Sequence, residues 1–80
     1  MKPHKHDIPI DIFKRYKIAF KELLMPNHFR VLSFRSEDKM TLDDIGYHMD
    51  LSPDEIEQML REAYTILEKT GYIGNRMVQK

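Results

Sequence analysis

Two helix-start signals close together in the chain constrain its fold most strongly. They lie in the segment TLDDIGYHMDLSPDEIEQMLREAYTILEKT, which spans residues 41–70. Thr41 and Ser52 are each followed three residues later by an acidic residue, which is the spacing of a capping box. Pro53 occupies the first helical position after Ser52, where its missing N–H costs no hydrogen bond. The segment therefore predicts two helices separated by a tight turn.

Apolar residues recur at helical spacing along one face of each of these helices. Because neither helix can bury such a face alone, we expect the two to pack together as a helix-turn-helix, whose second helix is the usual major-groove reader. The apolar face comprises Leu42, Ile45 and Met49 on the first helix and Ile56, Met59, Leu60, Ala63 and Leu67 on the second. We expect the core to bury Ile56, Met59, Leu60 and Leu67 against Ile45, Leu32 and Phe20.

The rest of the chain predicts two more helices, which makes the fold class all-α with four helices in one domain over residues 8–73. The first runs from Ile8 or Pro9 to Leu24 and the second from Pro26 to Arg35, because a proline ends one helix and can open the next. Residues 1–7 are predicted to be a mobile arm. Gly71 is predicted to cap the last helix in a left-handed conformation, and residues 74–80 are predicted to be a tail with at most one strand.

Charge is distributed unevenly along the chain, although the formal net charge is zero. Residues 1–35 carry eight Lys/Arg against three Asp/Glu, and residues 41–70 carry two against eight. The result is a dipolar domain with a basic N-terminal part and an acidic C-terminal part. No apolar run approaches the roughly 20 residues of a membrane span, and no signal-peptide core follows the first methionine. We therefore expect no membrane role.

The sequence predicts no catalytic centre, metal site or cofactor, so we expect a protein that is not an enzyme. It contains no cysteine and no glycine-rich phosphate loop, and its serines have structural explanations. His4 and His6 form an H-x-H pair, but two ligands on a mobile arm do not complete a metal site.

At this point the chain resembles region 4 of the housekeeping-type bacterial sigma factors. The resemblance covers about fifty residues, from Phe20 to Lys69, and holds without a gap through the helix-turn-helix. It is carried by VLSFR (31–35), TLDDIG (41–46), DLS (50–52) and AYTIL (63–67). LuxR-type domains share much of the same four-helix pattern. The resemblance implies a bacterial or phage protein of the cytoplasm that acts in transcription. Since eighty residues offer no counterpart to the promoter-melting and core-docking regions, we expect a regulatory or accessory protein.

One departure from the family bears directly on function. The family begins its recognition helix with Arg-Glu-Arg-Ile-Arg-Gln, whereas residues 53–58 here are Pro-Asp-Glu-Ile-Glu-Gln, so all three cations are missing. Affinity for duplex DNA depends largely on neutralising phosphates, and carboxylates in the groove oppose that attraction. Alternatively, the acidic residues form an ordinary solvated helix face, on which acids near the N-terminus interact favourably with the helix dipole.

Two hypotheses follow, from different classes of function. In the first, the chain is a transcription regulator that binds promoter-type duplex DNA. In the second, it keeps the sigma-like fold but binds RNA polymerase, a sigma factor or another basic partner through its acidic helix. The residues expected at the DNA or partner contact are Ser52, Asp54, Glu55, Glu57, Gln58 and Arg61. Those expected on phosphates are Lys14, Arg15, Lys17, Lys21, Arg30 and Arg35.

Overall fold

The computed structural model describes residues 6–73, and these residues form five α-helices and no strand. The predicted all-α fold class is therefore confirmed. The predicted tail over residues 74–80 and most of the predicted arm, residues 1–5, lie outside the described residues. The helices are α1 (Ile10–Arg15), α2 (Lys17–Leu23), α3 (Pro26–Ser36), α4 (Leu42–Met49) and α5 (Pro53–Lys69).

The predicted first helix is divided into α1 and α2 at Tyr16. This residue has φ −111° and ψ 20°, which takes it out of helical geometry. The hydrogen bonds across the junction persist, because the Tyr16 N–H donates to the Ile12 carbonyl (3.1 Å) and the Phe20 N–H donates to the Tyr16 carbonyl (2.9 Å). The Tyr16 ring packs against that of Tyr72, 4.9 Å away between centroids. A tertiary contact thus accompanies the break, and residues 6–73 form five helices where the sequence predicts four.

Contacts of the N-terminal segment with α3 begin before α1. The Asp7 carboxylate accepts hydrogen bonds from Nε (2.8 Å) and Nη2 (3.2 Å) of Arg35, near the end of α3. The same guanidinium donates to the Met40 carbonyl (2.8 Å), in the loop that leads to α4. Asp7, which the sequence assigns to a mobile arm, is therefore bound to the body of the domain.

The core lies where α5 packs against α3 and α4. The predicted core residues Ile56, Leu60 and Leu67 are fully buried, whereas Met59 is only partly buried at the edge of the cluster. The other side chains with no exposed surface are Phe13, Phe20, Val31, Leu32, Ile45 and Ala63. Five helices thus share one apolar core, centred on the inner face of α5.

Both helices of the helix-turn-helix begin with a side-chain cap, but the capping box that the spacing predicts at each start is complete only at α5. Thr41 Oγ1 accepts from the Asp44 N–H (3.1 Å) at the start of α4. Ser52 Oγ accepts from the Glu55 N–H (3.2 Å), and the Glu55 carboxylate accepts from the Ser52 N–H (2.9 Å), which completes a capping box. Asp50 closes α4 in the left-handed conformation, with φ 59°. The two-helix prediction is confirmed at both starts.

The end of α5 also matches its predicted cap. Gly71 has φ +87°, a left-handed conformation that glycine adopts without steric cost. The next N–H, of Tyr72, then donates back to the Leu67 carbonyl (3.0 Å). This reversal brings the Tyr72 ring onto Phe20, 5.4 Å between centroids and nearly perpendicular. The cap therefore also closes one end of the core.

We predict that Leu60→Ala lowers the free energy of unfolding by about 2–5 kcal/mol, because it leaves a cavity in a fully buried site. Urea unfolding followed by circular dichroism measures the loss. Leu23→Ala removes the same atoms from a side chain that is 42% exposed, and it should cost much less. Equal costs for the two variants would contradict the helix register.

We predict that Gly46→Ala destabilises the domain, although alanine favours an isolated helix by about 1 kcal/mol over glycine. A Cβ at this position would lie 2.5 Å from the Leu51 carbonyl oxygen, so the turn backbone would have to move. Overpacking of this kind typically costs about 1–3 kcal/mol. Thermal unfolding provides the measurement, with the exposed Tyr47→Ala in the same helix as control. A higher melting temperature for Gly46→Ala would rule out the close approach.

Candidate interaction surfaces

The helix-turn-helix carries a set of exposed carboxylates, which we together call the acidic face. It consists of five exposed residues on α4, the turn and the first turn of α5: Asp43, Asp44, Asp50, Asp54 and Glu55. Four of them stand in the first turn of a helix, where a negative charge interacts favourably with the helix dipole. The same residues therefore help both helices to start and give this surface its sign.

Two residues predicted to contact DNA or a partner have local structural roles. Ser52 and Glu55 bond to each other's backbone in the capping box of α5, so both polar side chains are engaged within the chain. Asp54 is exposed, whereas Glu57 is only partly exposed. Of the acids at the start of α5, Asp54 is thus the most available to a partner.

The two remaining predicted contact residues, Gln58 and Arg61, belong to a hydrogen-bonded chain that runs from α5 to α3. Arg61 Nη1 donates to Gln58 Oε1 (3.0 Å), and Gln58 Nε2 donates to Glu62 Oε2 (3.0 Å). Glu62 Oε1 in turn accepts from His28 Nε2 (2.7 Å). The hydrogen bond from Gln58 and, to a smaller extent, the one from His28 hold the pKa of the Glu62 carboxyl below its usual range.

The four hydrogen-bonded residues border an open groove of about 540 Å³ between the start of α3 and the middle of α5. Met25, which is 67% exposed, and Ile66 supply apolar walls. The groove also has Thr65 and the four residues of the hydrogen-bonded chain around it. Sequence reasoning did not find the His28–Glu62 pair, because its members are 34 residues apart.

The cations predicted on phosphates fall into two groups. Lys14, Arg15, Lys21 and Arg30 are exposed on α1, α2 and α3. Lys17 instead pairs with the Glu37 carboxylate (3.1 Å to each oxygen), and Arg35 is engaged with Asp7 and the Met40 carbonyl. The exposed four are thus the better placed to meet a polyanion.

Tyr47 is the candidate contact residue that sequence reasoning missed. It is 87% exposed on α4, more than any other large hydrophobic side chain among residues 6–73. Its ring meets the His48 ring edge-on, with centroids 6.1 Å apart. The sequence did contain a signal for this exposure, because Tyr47 does not belong to the apolar face of Leu42, Ile45 and Met49.

Within the described residues, no group of three or more His, Cys, Asp or Glu side chains is arranged to hold a metal ion. His4, one half of the H-x-H pair, lies outside them, and the ring of His6 packs edge-on against that of Tyr64 at 5.3 Å. None of the helices in residues 6–73 has both the length and the apolar character needed to cross a membrane.

Comparisons with known proteins give one distant likeness. No family model matches the chain, and no solved structure matches it. The chain is similar to part of an ATP-dependent helicase/nuclease protein of Enterococcus faecalis, with 29% identity over 68 residues, which are 84% of this chain. It spans only 5% of the length of that protein.

We predict that the two paired carboxylates make the domain sensitive to acid. The hydrogen bond from Lys17 lowers the pKa of Glu37, as those from Gln58 and His28 lower the pKa of Glu62. A carboxyl whose pKa is lower in the folded state stabilises the fold above its unfolded pKa, and this stabilisation is lost as the pH falls through the folded pKa. Urea unfolding at neutral and acidic pH should therefore show a smaller acid effect for Glu37→Gln with Glu62→Gln than for the native chain. An acid effect that is unchanged in the double variant would contradict the assignment of acid sensitivity to Glu37 and Glu62. Glu68→Gln, which changes an exposed glutamate, is the control.

Proposed function

We propose that this chain is a small transcription-regulatory protein whose sigma-region-4-like helix-turn-helix acts as a protein-interaction module. Its acidic face would bind a basic surface on RNA polymerase or on a sigma factor. The observation that carries the proposal is the exposure of Asp43, Asp44, Asp50 and Asp54 at the turn and helix starts, where a DNA reader of this architecture needs cations.

Electrostatics favours a protein over duplex DNA at this face. Duplex DNA carries one negative charge per roughly 1.7 Å of its axis, so each carboxylate brought to the groove is repelled. One acid can accept a hydrogen bond from a cytosine amino group, but several acids around the helix start have no such partners. A basic protein surface offers the opposite sign, which speeds association and selects the partner.

Direct DNA binding remains the second candidate function, and a specific observation favours it. Lys14, Arg15, Lys21 and Arg30 are exposed cations on α1 to α3, the helices that precede the helix-turn-helix in the chain. Arg61 and Gln58 could also exchange their mutual hydrogen bond for contacts with DNA. In this second reading, the four cations would contact phosphates.

We further propose a non-catalytic role in the cytoplasm of a bacterium or a phage-infected cell. The similar Enterococcus faecalis protein is an ATP-dependent helicase/nuclease subunit, and this chain matches one twentieth of its length. That short and distant likeness gives no support for assigning either activity here. The sigma-like motifs in register over residues 31–67 are the stronger support for a role in transcription.

We predict that Asp43→Lys combined with Asp54→Lys abolishes capture of RNA polymerase or sigma factor by the immobilised chain. Like-charge repulsion should weaken the association at least tenfold, mainly through the association rate. Surface plasmon resonance with purified core polymerase and sigma factor provides the measurement. Glu22→Lys combined with Glu68→Lys is the matched control, because it makes the same charge change at exposed positions outside the acidic face.

The proposal fails if the native chain binds neither protein, or if the control double variant loses binding as fully as the test variant. It also fails if the native chain binds a specific duplex at micromolar or lower concentration and Gln58→Ala with Arg61→Ala weakens that binding. This last result would establish the DNA-binding candidate in its place.

A further inference from the structure

We infer that Tyr47 is the anchor of the acidic face and that its partner presents arginine in preference to lysine. This inference rests on the proposed function and adds the chemistry of the contact. It concerns the outer face of α4, which no other element among residues 6–73 covers at Tyr47, since 87% of that side chain is exposed.

The spacing around Tyr47 carries the argument. Asp43 lies four residues before it, Asp44 three before and Asp50 three after. Side chains three and four positions apart on a helix are neighbours, with Cβ atoms about 5–6 Å apart. Asp50 caps this helix with φ 59°, immediately after its last turn. Two exposed carboxylates, those of Asp43 and Asp44, therefore neighbour the tyrosine on the helix, and a third follows in sequence at the helix end.

A single exposed aromatic residue is ordinary by itself, but its charge surroundings select a partner. Ile18 on α2 is nearly as exposed, at 78%, but the residues three and four positions from it are three cations, Lys14, Arg15 and Lys21, and one acid, Glu22. Around Tyr47 the same four offsets hold three acids and Leu51, so no cation stands at any of them. Tyrosine is also enriched at the energetic centres of interfaces. The surface that complements it is both cationic and able to lie flat on a ring.

Arginine meets both requirements better than lysine does. Its planar guanidinium stacks on an aromatic face and still directs N–H groups at neighbouring carboxylates. The lysine ammonium is a more strongly hydrated point charge, so it gains less from the ring. An arginine seated on Tyr47 would donate to Asp43, Asp44 or Asp50 while its plane covers the phenol ring.

Labelled nona-arginine and nona-lysine, which have equal length and charge, test the inference by fluorescence anisotropy at physiological salt. We expect the native chain to bind nona-arginine more tightly, and Tyr47→Ala to reduce the ratio of the two affinities about three- to tenfold. Tyr47→Phe should keep the ratio, because the ring remains. Ile18→Ala should leave both affinities unchanged, whereas Asp43→Asn should weaken both peptides together.

An affinity ratio unchanged by Tyr47→Ala would overturn the inference, and so would an equal loss for both peptides in that variant. Self-association abolished by Tyr47→Ala, measured by light scattering of the native chain, would also overturn it by making a second copy the occupant. If the arginine preference fails while Asp43→Lys with Asp54→Lys still abolishes polymerase binding, only the inference fails. If the preference holds but neither polymerase nor sigma factor binds, only the proposed function fails.

Discussion

The close approach of α4 to the turn that starts α5 is the constraint on which the rest of the structure depends. Gly46 is buried against the Leu51 carbonyl, where a side chain would meet the oxygen at 2.5 Å. Asp50 reverses the chain in a left-handed conformation, and Ser52 then starts α5 with a complete capping box. This junction sets the direction of the longest helix, whose inner face fills the core. It also sets where the acids of the two helix starts meet solvent.

In the proposed function, stability and recognition depend on the same charges. Carboxylates in the first turn of a helix lower its free energy modestly, by about 0.3–1 kcal/mol each at the surface. That benefit requires no partner, so it explains why acids are tolerated at Asp43, Asp44 and Asp54. Their exposure on one helix-turn-helix unit is also the feature from which we propose a basic protein partner. The exposed cations of α1 to α3 give the opposite sign to another part of the domain.

Local patterns predicted the parts of the fold that depend on neighbours in sequence. The caps at Thr41, Ser52 and Gly71 and the buried faces of α4 and α5 follow from spacings of three or four residues. The break at Tyr16, the Arg35–Asp7 pair and the His28–Glu62 pair did not follow, because each involves packing between distant residues. The partners are separated by 28 residues in the Arg35–Asp7 pair and by 34 residues in the His28–Glu62 pair. In the candidate site, the sequence predicted the acidic start of α5 but missed Tyr47, since exposure is a property of the assembled fold.

Titration of the unmodified chain with fluorescent duplex DNA tests the central claim, that the acidic face excludes the duplex, most directly. The titration is run on mixed-sequence and promoter-type duplexes, at low and at physiological salt. Because each phosphate contact contributes about −0.9 to the slope of log affinity against log salt concentration, the slope counts the cations at the interface. The account predicts no binding at micromolar concentration in physiological salt. Tight binding with a steep salt slope would contradict it if a fluorophore attached to α5 also became protected from a soluble quencher when the duplex binds.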